Sequence, residues 1–157
     1  MAIELSSAGV SVQYCVETTA GTRPTTGYTT LSGIKSTPDL NPENSALEVT
    51  DLSETEYKRY IAGLKDGGGV LAFTANNTEQ FHTDWAALMA AYAAAIAETT
   101  PKAMVMAIVI PGLTKAFYME IEPKPLGLNA IEVDSVLEIN AYVAPKKIIG
   151  WATKPTV

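Results

Sequence analysis

Very little in this sequence is equipped for covalent chemistry. Its 157 residues include one cysteine, Cys15, and one histidine, His82. A single thiol excludes an internal disulfide, and the alternation of VSVQYCVET around it predicts a strand with the thiol buried or half-buried. A nucleophilic Cys–His pair would have to join Cys15 to His82, and nothing in the sequence supports that pairing. A histidine beside a helix start is read instead as solvated or hydrogen-bonded structure. Clusters of His and Cys at metal-ligand spacing are missing, so neither a metal nor a cofactor is expected. Charge is scarce as well: Asp, Glu, Lys and Arg make up 18% of the chain, and mean hydropathy is +0.11. A domain of this size cannot bury all of that apolar material, so part of it is expected to face another protein chain. Positive charge is scarcest. Eleven Lys and Arg against 17 Asp and Glu give a net charge of −6, which argues against a nucleic-acid binder and suits a neighbour of a polyanion that must not adhere. No stretch approaches the roughly 20 strongly apolar residues of a bilayer-spanning helix. The opening MAIELSSAG has neither the basic region nor the apolar run of a signal peptide, so synthesis in the cytoplasm is expected.

What is present is alternation. Residues 1–9 read as a mobile arm, and Val10–Val16 as a strand with Val10, Val12, Tyr14 and Val16 on one face. Residues 17–45, rich in Thr, Gly and Pro, read as a long loop with a short strand at Thr29–Ile34; loops of this length tend to be functional or to belong to an interface. Ala46–Leu52 alternates as a strand. Ser53 with Glu56 three residues on matches a capping box, which predicts a short helix from Glu54 to about Ala62 stopped by Gly63. HTDWAALMAAYAAAIAETT predicts the principal helix, over about residues 83–97, capped by Thr83. Trp85, Leu88, Met89, Tyr92 and Ile96 form one stripe along it, and its other faces are mostly alanine, as suits close packing on more than one side. KAMVMAIVIPG reads as a central buried strand, TKAFYMEIEP as its hairpin partner, and residues 129–145 as one long half-exposed strand. That strand would carry Ile131, Val133, Ser135, Leu137, Ile139 and Ala141 inward and Glu132, Asp134, Val136, Glu138, Asn140 and Tyr142 outward. KKIIGWATKPTV closes as a short strand or tail. Six or seven strands, one principal helix and no βαβ alternation predict a mainly β fold, an antiparallel β-sandwich or barrel with one flanking helix, in a single domain over 1–157.

The run Asp66-Gly67-Gly68-Gly69 is a turn entering a strand at about Val70–Asn76. A phosphate cradle needs a following helix and a Lys-Ser/Thr pair, and strand sequence follows instead. Glu120, Glu122, Glu132, Asp134 and Glu138 form the densest acidic set, but without the spacing of an EF-hand and with no evident sugar cleft for a glycosidase pair. Asn76-Asn77-Thr78 matches a glycosylation sequon and is read as a turn.

Three pieces of the chain then stand together: LEVTDL at 47–52, YIAGLKDGG at 60–68 and VLAFTAN at 70–76. The set resembles the tail tube (major tail) proteins of long, non-contractile-tailed bacteriophages, with Ala62 where that family commonly has proline. The Thr/Gly/Pro-rich segment TRPTTGYTTLSGIKSTPDLNPE and the stretch AFYMEIEPKPLGLNAIEVDSVLEINAYVAPKK fit the same family, so the resemblance covers most of the chain. It implies a virion structural subunit, made in the host bacterial cytoplasm, that forms hexameric rings stacked into a tube through which DNA passes without specific binding. It also implies tail-tip initiator, tape-measure and terminator proteins as partners, and neither an enzymatic role nor a membrane. The connection bearing Tyr57, Lys58, Arg59, Tyr60, Lys65 and Asp66 would then contact the next ring or subunit. The helix with Trp85, Leu88, Met89, Tyr92 and Ile96 would pack between subunits, and Glu48, Glu132, Asp134 and Glu138 would line the lumen or form a solvated outer face. An inner-tube protein of a type VI secretion or contractile injection system, or a phage head-tail completion protein, is the alternative.

Overall fold

The computed structural model describes residues 4–41, 43–66 and 69–156, with the side chains of 43–45 and 64–66 left aside. Among the described residues, nine strands and one helix follow one another as β1 (Ser11–Val16), β2 (Thr29–Leu31), β3 (Ile34–Ser36), β4 (Glu43–Glu48), β5 (Tyr60–Asp66), β6 (Leu71–Asn76), α1 (Glu79–Ile96), β7 (Met104–Val109), β8 (Lys115–Pro123) and β9 (Glu138–Thr153). Seven strands make one antiparallel sheet in the order β2-β1-β7-β8-β9-β6-β3, and β4 pairs with β5 in a separate two-stranded sheet. The edges of the large sheet, β2 and β3, are consecutive in the chain and joined by Ser32-Gly33, where Gly33 takes φ +79°. The twisted sheet therefore curls until its edges nearly meet, a barrel-like closure made by the chain itself. The architecture is mainly β with one flanking helix, as the alternation predicts.

The main core fills the concave side. Val12 and Tyr14 of β1, Phe73 of β6, Met104 and Met106 of β7, Met119 and Ile121 of β8, and Ile139, Ala141 and Val143 of β9 meet Phe81, Trp85 and Leu88 of the helix there. β7 is covered on both faces, because Val105 and Ala107 point the other way into a smaller cluster with Ala116 and Tyr118. Residues 17–28 roof that cluster. The Tyr28 ring lies 6.0 Å from Tyr118, the Arg23 guanidinium sits 4.3 Å over the Tyr118 ring, and Thr156 donates to the Thr25 carbonyl at 2.9 Å. Part of the long loop is thus structural. The expected strand at 29–34 is split in two by the left-handed Gly33.

Three further expectations are corrected. The helix starts at Glu79, not at residue 83: the Thr78 hydroxyl accepts from the Phe81 N–H at 3.2 Å, while Thr83 lies inside the helix and donates back to the Glu79 carbonyl at 3.0 Å. The apolar stripe begins at the fully buried Phe81, so burial chooses the earlier cap. No helix forms over 54–62. The Asp51 carboxylate accepts from both the N–H and the hydroxyl of Ser53, which removes the capping serine. Tyr60 and Ile61 then pair as strand opposite Glu48 and Leu47, and the partner strand stops at Glu48 rather than Leu52. Finally, 129–145 is not one strand. Residues 129–137 form an irregular loop in which Asp134 takes φ +56° and the Ser135 hydroxyl donates to the Glu132 carbonyl at 2.9 Å. The strand begins at Glu138 and absorbs KKIIGWAT up to Thr153. Two bulges, near Pro145 and at Gly150 (φ +91°), accommodate the proline and the left-handed glycine.

Candidate assembly surface

The two-stranded sheet is an arm. β4 and β5 pair only with each other, and their cross-strand neighbours include Ala46 with Ala62 and Leu47 with Ile61. Beyond them the Val49 N–H donates to the Arg59 carbonyl at 2.9 Å and the Arg59 N–H to the Thr50 hydroxyl at 2.8 Å, which closes the ribbon over residues 50–59. Apolar side chains along it lie open: Leu47 is 51% exposed, Ile61 53%, Tyr60 56%, Tyr57 80% and Leu52 fully exposed. A lone two-stranded ribbon is marginal in water unless something packs on it, and nothing among the described residues covers these side chains.

The polar residues expected at the contact sit along the same arm. Arg59 pairs with Glu54 at 2.8 Å, and Lys58 reaches Glu48 at 4.0 Å. The structure thus brings Tyr57, Lys58, Arg59 and Tyr60 together on one projecting element. Lys65 and Asp66 follow on β5, their side chains outside the described residues, as are Gly67 and Gly68 of the glycine run.

The helix residues divide. Trp85 and Leu88 are buried in the chain's own core, with the Trp85 indole N–H donating to the Lys124 carbonyl at 3.0 Å. Met89 and Tyr92 pack against that core, and Tyr92 also accepts from the Lys146 ammonium at 3.0 Å. Ile96 is exposed, and so are Ala86, Ala87, Ala90, Ala93 and Ala94. The outward face of the helix is therefore smooth alanine, and the aromatic stripe serves the interior.

The four carboxylates do not share one surface. Glu48 is on the arm. Glu132 and Glu138 border a concavity with Lys35, Asn129 and Ser135, and Glu138 is ion-paired to Lys35. Asp134 stands exposed at the left-handed turn beside them.

Sequence reasoning missed two exposed features and one buried one. The loop 128–137 presents Leu128, Ile131, Val133 and Val136 to solvent, and Trp151 near the end of β9 is 53% exposed. The strand alternation hid the first, since it assigned Ile131 and Val133 inward, and Trp151 lay in a stretch read as a short strand or tail. Glu17 is buried, its carboxylate accepting from the Ala103 N–H at 2.8 Å where β1 ends against β7. Position alone, directly after an apolar strand, was the only available sign.

No catalytic constellation forms among the described residues. They contain no group of three His, Cys, Asp or Glu placed to hold a metal. His82 is exposed, with its Nε2 2.7 Å from the Asn77 side-chain oxygen. Cys15 is half-buried, and burial pushes its thiol pKa up, away from the reactive thiolate. Burial also raises Tyr28 well above the ordinary tyrosine range, helped by neighbouring Tyr118 and Cys15, and raises Tyr118. No helix of the described residues is long and apolar enough to cross a membrane.

No protein-family model and no curated protein matches the sequence. The fold, by contrast, is shared. A chain in the cryo-EM structure of the anti-feeding prophage baseplate, 6-fold symmetrised, superposes with a TM-score of 0.62 over 94% of this chain and 95% of its own, at 10% sequence identity. At that identity the likeness is one of fold.

Proposed function

We propose that the protein is a structural subunit of a phage tail or tail-like apparatus, self-associating into rings that stack into a tube. The observation that carries this reading is the arm: an apolar ribbon with exposed Leu47, Leu52, Tyr57, Tyr60 and Ile61 and no cover among the described residues. Such a surface belongs in an interface, and Tyr and Arg are the side chains that concentrate binding energy there. The alanine face of α1 supports a second close contact, since small side chains let a neighbour approach the helix backbone. The shared fold with a chain of a sixfold-symmetrised baseplate supports hexameric rings, and a net charge of −6 suits a wall past which DNA slides. Glu48 and Glu138 each hold a lysine of their own chain, so we assign the repulsion of phosphate to the overall charge and not to four particular carboxylates. The role asks for no catalytic group, cofactor or membrane.

The tail tube of a non-contractile phage is the form of this reading that the sequence motifs favour. A ring protein of a contractile injection apparatus is the second form, favoured by the likeness being to a baseplate chain. One experiment tests what both share. Replacing residues 44–65 by a short Gly-Ser linker is expected to leave the large sheet folded, with an unchanged near-UV spectrum, and to abolish assembly seen by negative-stain microscopy. Rings or tubes formed by the armless chain would contradict the proposal.

A further inference from the structure

Besides the arm, the molecule carries two exposed surfaces of opposite charge, one before the first residue of β9 and one around its last. The first is the loop 128–137. Ile131 is 64% exposed, Val133 92% and Val136 70%, with Glu132 and Asp134 interleaved among them. The loop is held in shape. Asn129 accepts from the Asn140 N–H at 3.2 Å, the Leu137 carbonyl accepts from the Asn77 N–H at 3.0 Å, and Ser135 bonds back to Glu132. An ordered loop loses little freedom on binding. Among the described residues, neither Glu132 nor Asp134 has an ion-pair partner.

The second surface is the corner where β8 begins and β9 ends. Lys115 lies opposite Thr153 and Phe117 opposite Trp151, and the Lys154 N–H donates to the Thr114 carbonyl at 3.4 Å. Trp151, braced edge-on by Phe117 at 5.5 Å, forms with Leu113, Thr114 and Lys115 an open slot of about 230 Å³. No carboxylate of the described residues pairs with Lys115 or Lys154. Asp39 lines a second concavity that shares Trp151 with this slot.

We propose that the loop of one copy docks in this corner of the next, Val133 entering the slot beside Trp151 while Glu132 and Asp134 meet Lys115 and Lys154. Two carboxylates face two ammonium groups, and exposed aliphatic surface meets an exposed indole. No ion pair joins the two surfaces within one chain, so the complementarity is satisfied only between copies. Because the surfaces differ, the contact is heterologous: each docked pair keeps one free corner and one free loop, and association propagates into a ring or a stack. The inference rests on the reading of this chain as an assembling subunit and adds a contact separate from the arm.

Charge-swap complementation tests it. One variant carries Glu132→Lys and Asp134→Lys, the other Lys115→Glu and Lys154→Glu; Glu132, Asp134 and Lys115 are exposed and Lys154 is half-buried, and circular dichroism checks the fold. Alone, each variant sets like charges against each other and is expected to need about tenfold more protein than wild type to assemble at low ionic strength, read by sedimentation. A chain carrying all four substitutions is expected to recover the wild-type threshold. Val133→Cys and Trp151→Cys chains, mixed on a Cys15→Ser background, are expected to cross-link between chains on oxidation. Both single-patch variants assembling at the wild-type threshold, with no cross-link, would overturn the docking and leave the subunit role standing. A wild-type chain that never self-associates at any concentration would overturn both.

Discussion

Trp85 and Tyr57 are both large aromatic side chains, yet one is 2% exposed and the other 80%. Trp85 fills the centre of the main core and has its indole N–H satisfied by Lys124. Trp85→Ala is expected to cost about 3–5 kcal/mol by leaving a cavity, which chemical denaturation measures directly. Tyr57→Ala removes nothing from the interior, so folding stability is expected to stay within about 0.5 kcal/mol. Assembly, in contrast, is expected to weaken about tenfold or more, if Tyr57 anchors the arm as interface tyrosines do. A Tyr57→Ala chain that assembles normally would remove that residue from the account. Titration gives a second test at this scale. Cys15, Tyr28 and Tyr118 all have pKa values raised by burial above ordinary values of 9.0 for the thiol and 10.0 for the phenols. In that range the unfolded chain releases these protons before the folded one does, so the folded state binds more protons and loses stability as pH climbs. The melting temperature of the dispersed subunit is expected to be insensitive to these groups below about pH 9 and to fall progressively above it; a flat profile to pH 11 would contradict the buried placement of the Tyr28–Tyr118 cluster.

Among the elements, β9 shows how tertiary structure overrides local pattern. Its second half, KKIIGWAT, reads in the sequence as a short strand or tail, but two bulges keep it paired with β8 as far as Thr153. Gly150 sits at φ +91° with open space where a Cβ would go, so the constraint there is the backbone and not crowding. Gly150→Ala is expected to destabilise the fold by about 1–2 kcal/mol without touching any neighbour, measurable as a lower melting temperature. The parts of the fold that were legible beforehand were those in which one residue pattern has one solution. The continuous apolar run MVMAIV had to be covered on both faces, and the Trp85–Leu88 stripe had to face a sheet. The alanine back of α1 was legible for the same reason. What escaped was decided by pairing partners. Ser53 and Glu56 form a sound capping box, but Asp51 captured the serine and β4 offered Tyr60–Ile61 a strand to pair with. Alternation across 129–145 continued smoothly, while β6, at Leu71–Asn76, offers pairing only from Glu138 onward. The exposed apolar residues of the loop 128–137 were hidden for that reason, since Ile131 and Val133 looked like the inner side of a strand.

At the scale of the whole molecule, two opposite demands meet in one chain. The curled sheet closes its own edges through Ser32-Gly33 and covers β7 on both faces, which makes a self-sufficient unit. Around that unit lie an uncovered arm, an alanine helix face and two oppositely charged patches flanking β9, none of which the isolated chain uses. A protein that needed only to stay dissolved would gain nothing from exposed Leu52, Tyr57, Val133 and Trp151. A subunit needs such surfaces in order to join its neighbours. The direct measurement is negative-stain electron microscopy of the purified protein across a concentration series, beside the chain in which residues 44–65 are replaced by a linker. The account predicts hollow rings or tubes of uniform width and sixfold end views from the intact chain, and dispersed particles from the armless one. An intact chain that stays dispersed at the highest concentration, or an armless chain that forms the same tubes, would contradict it.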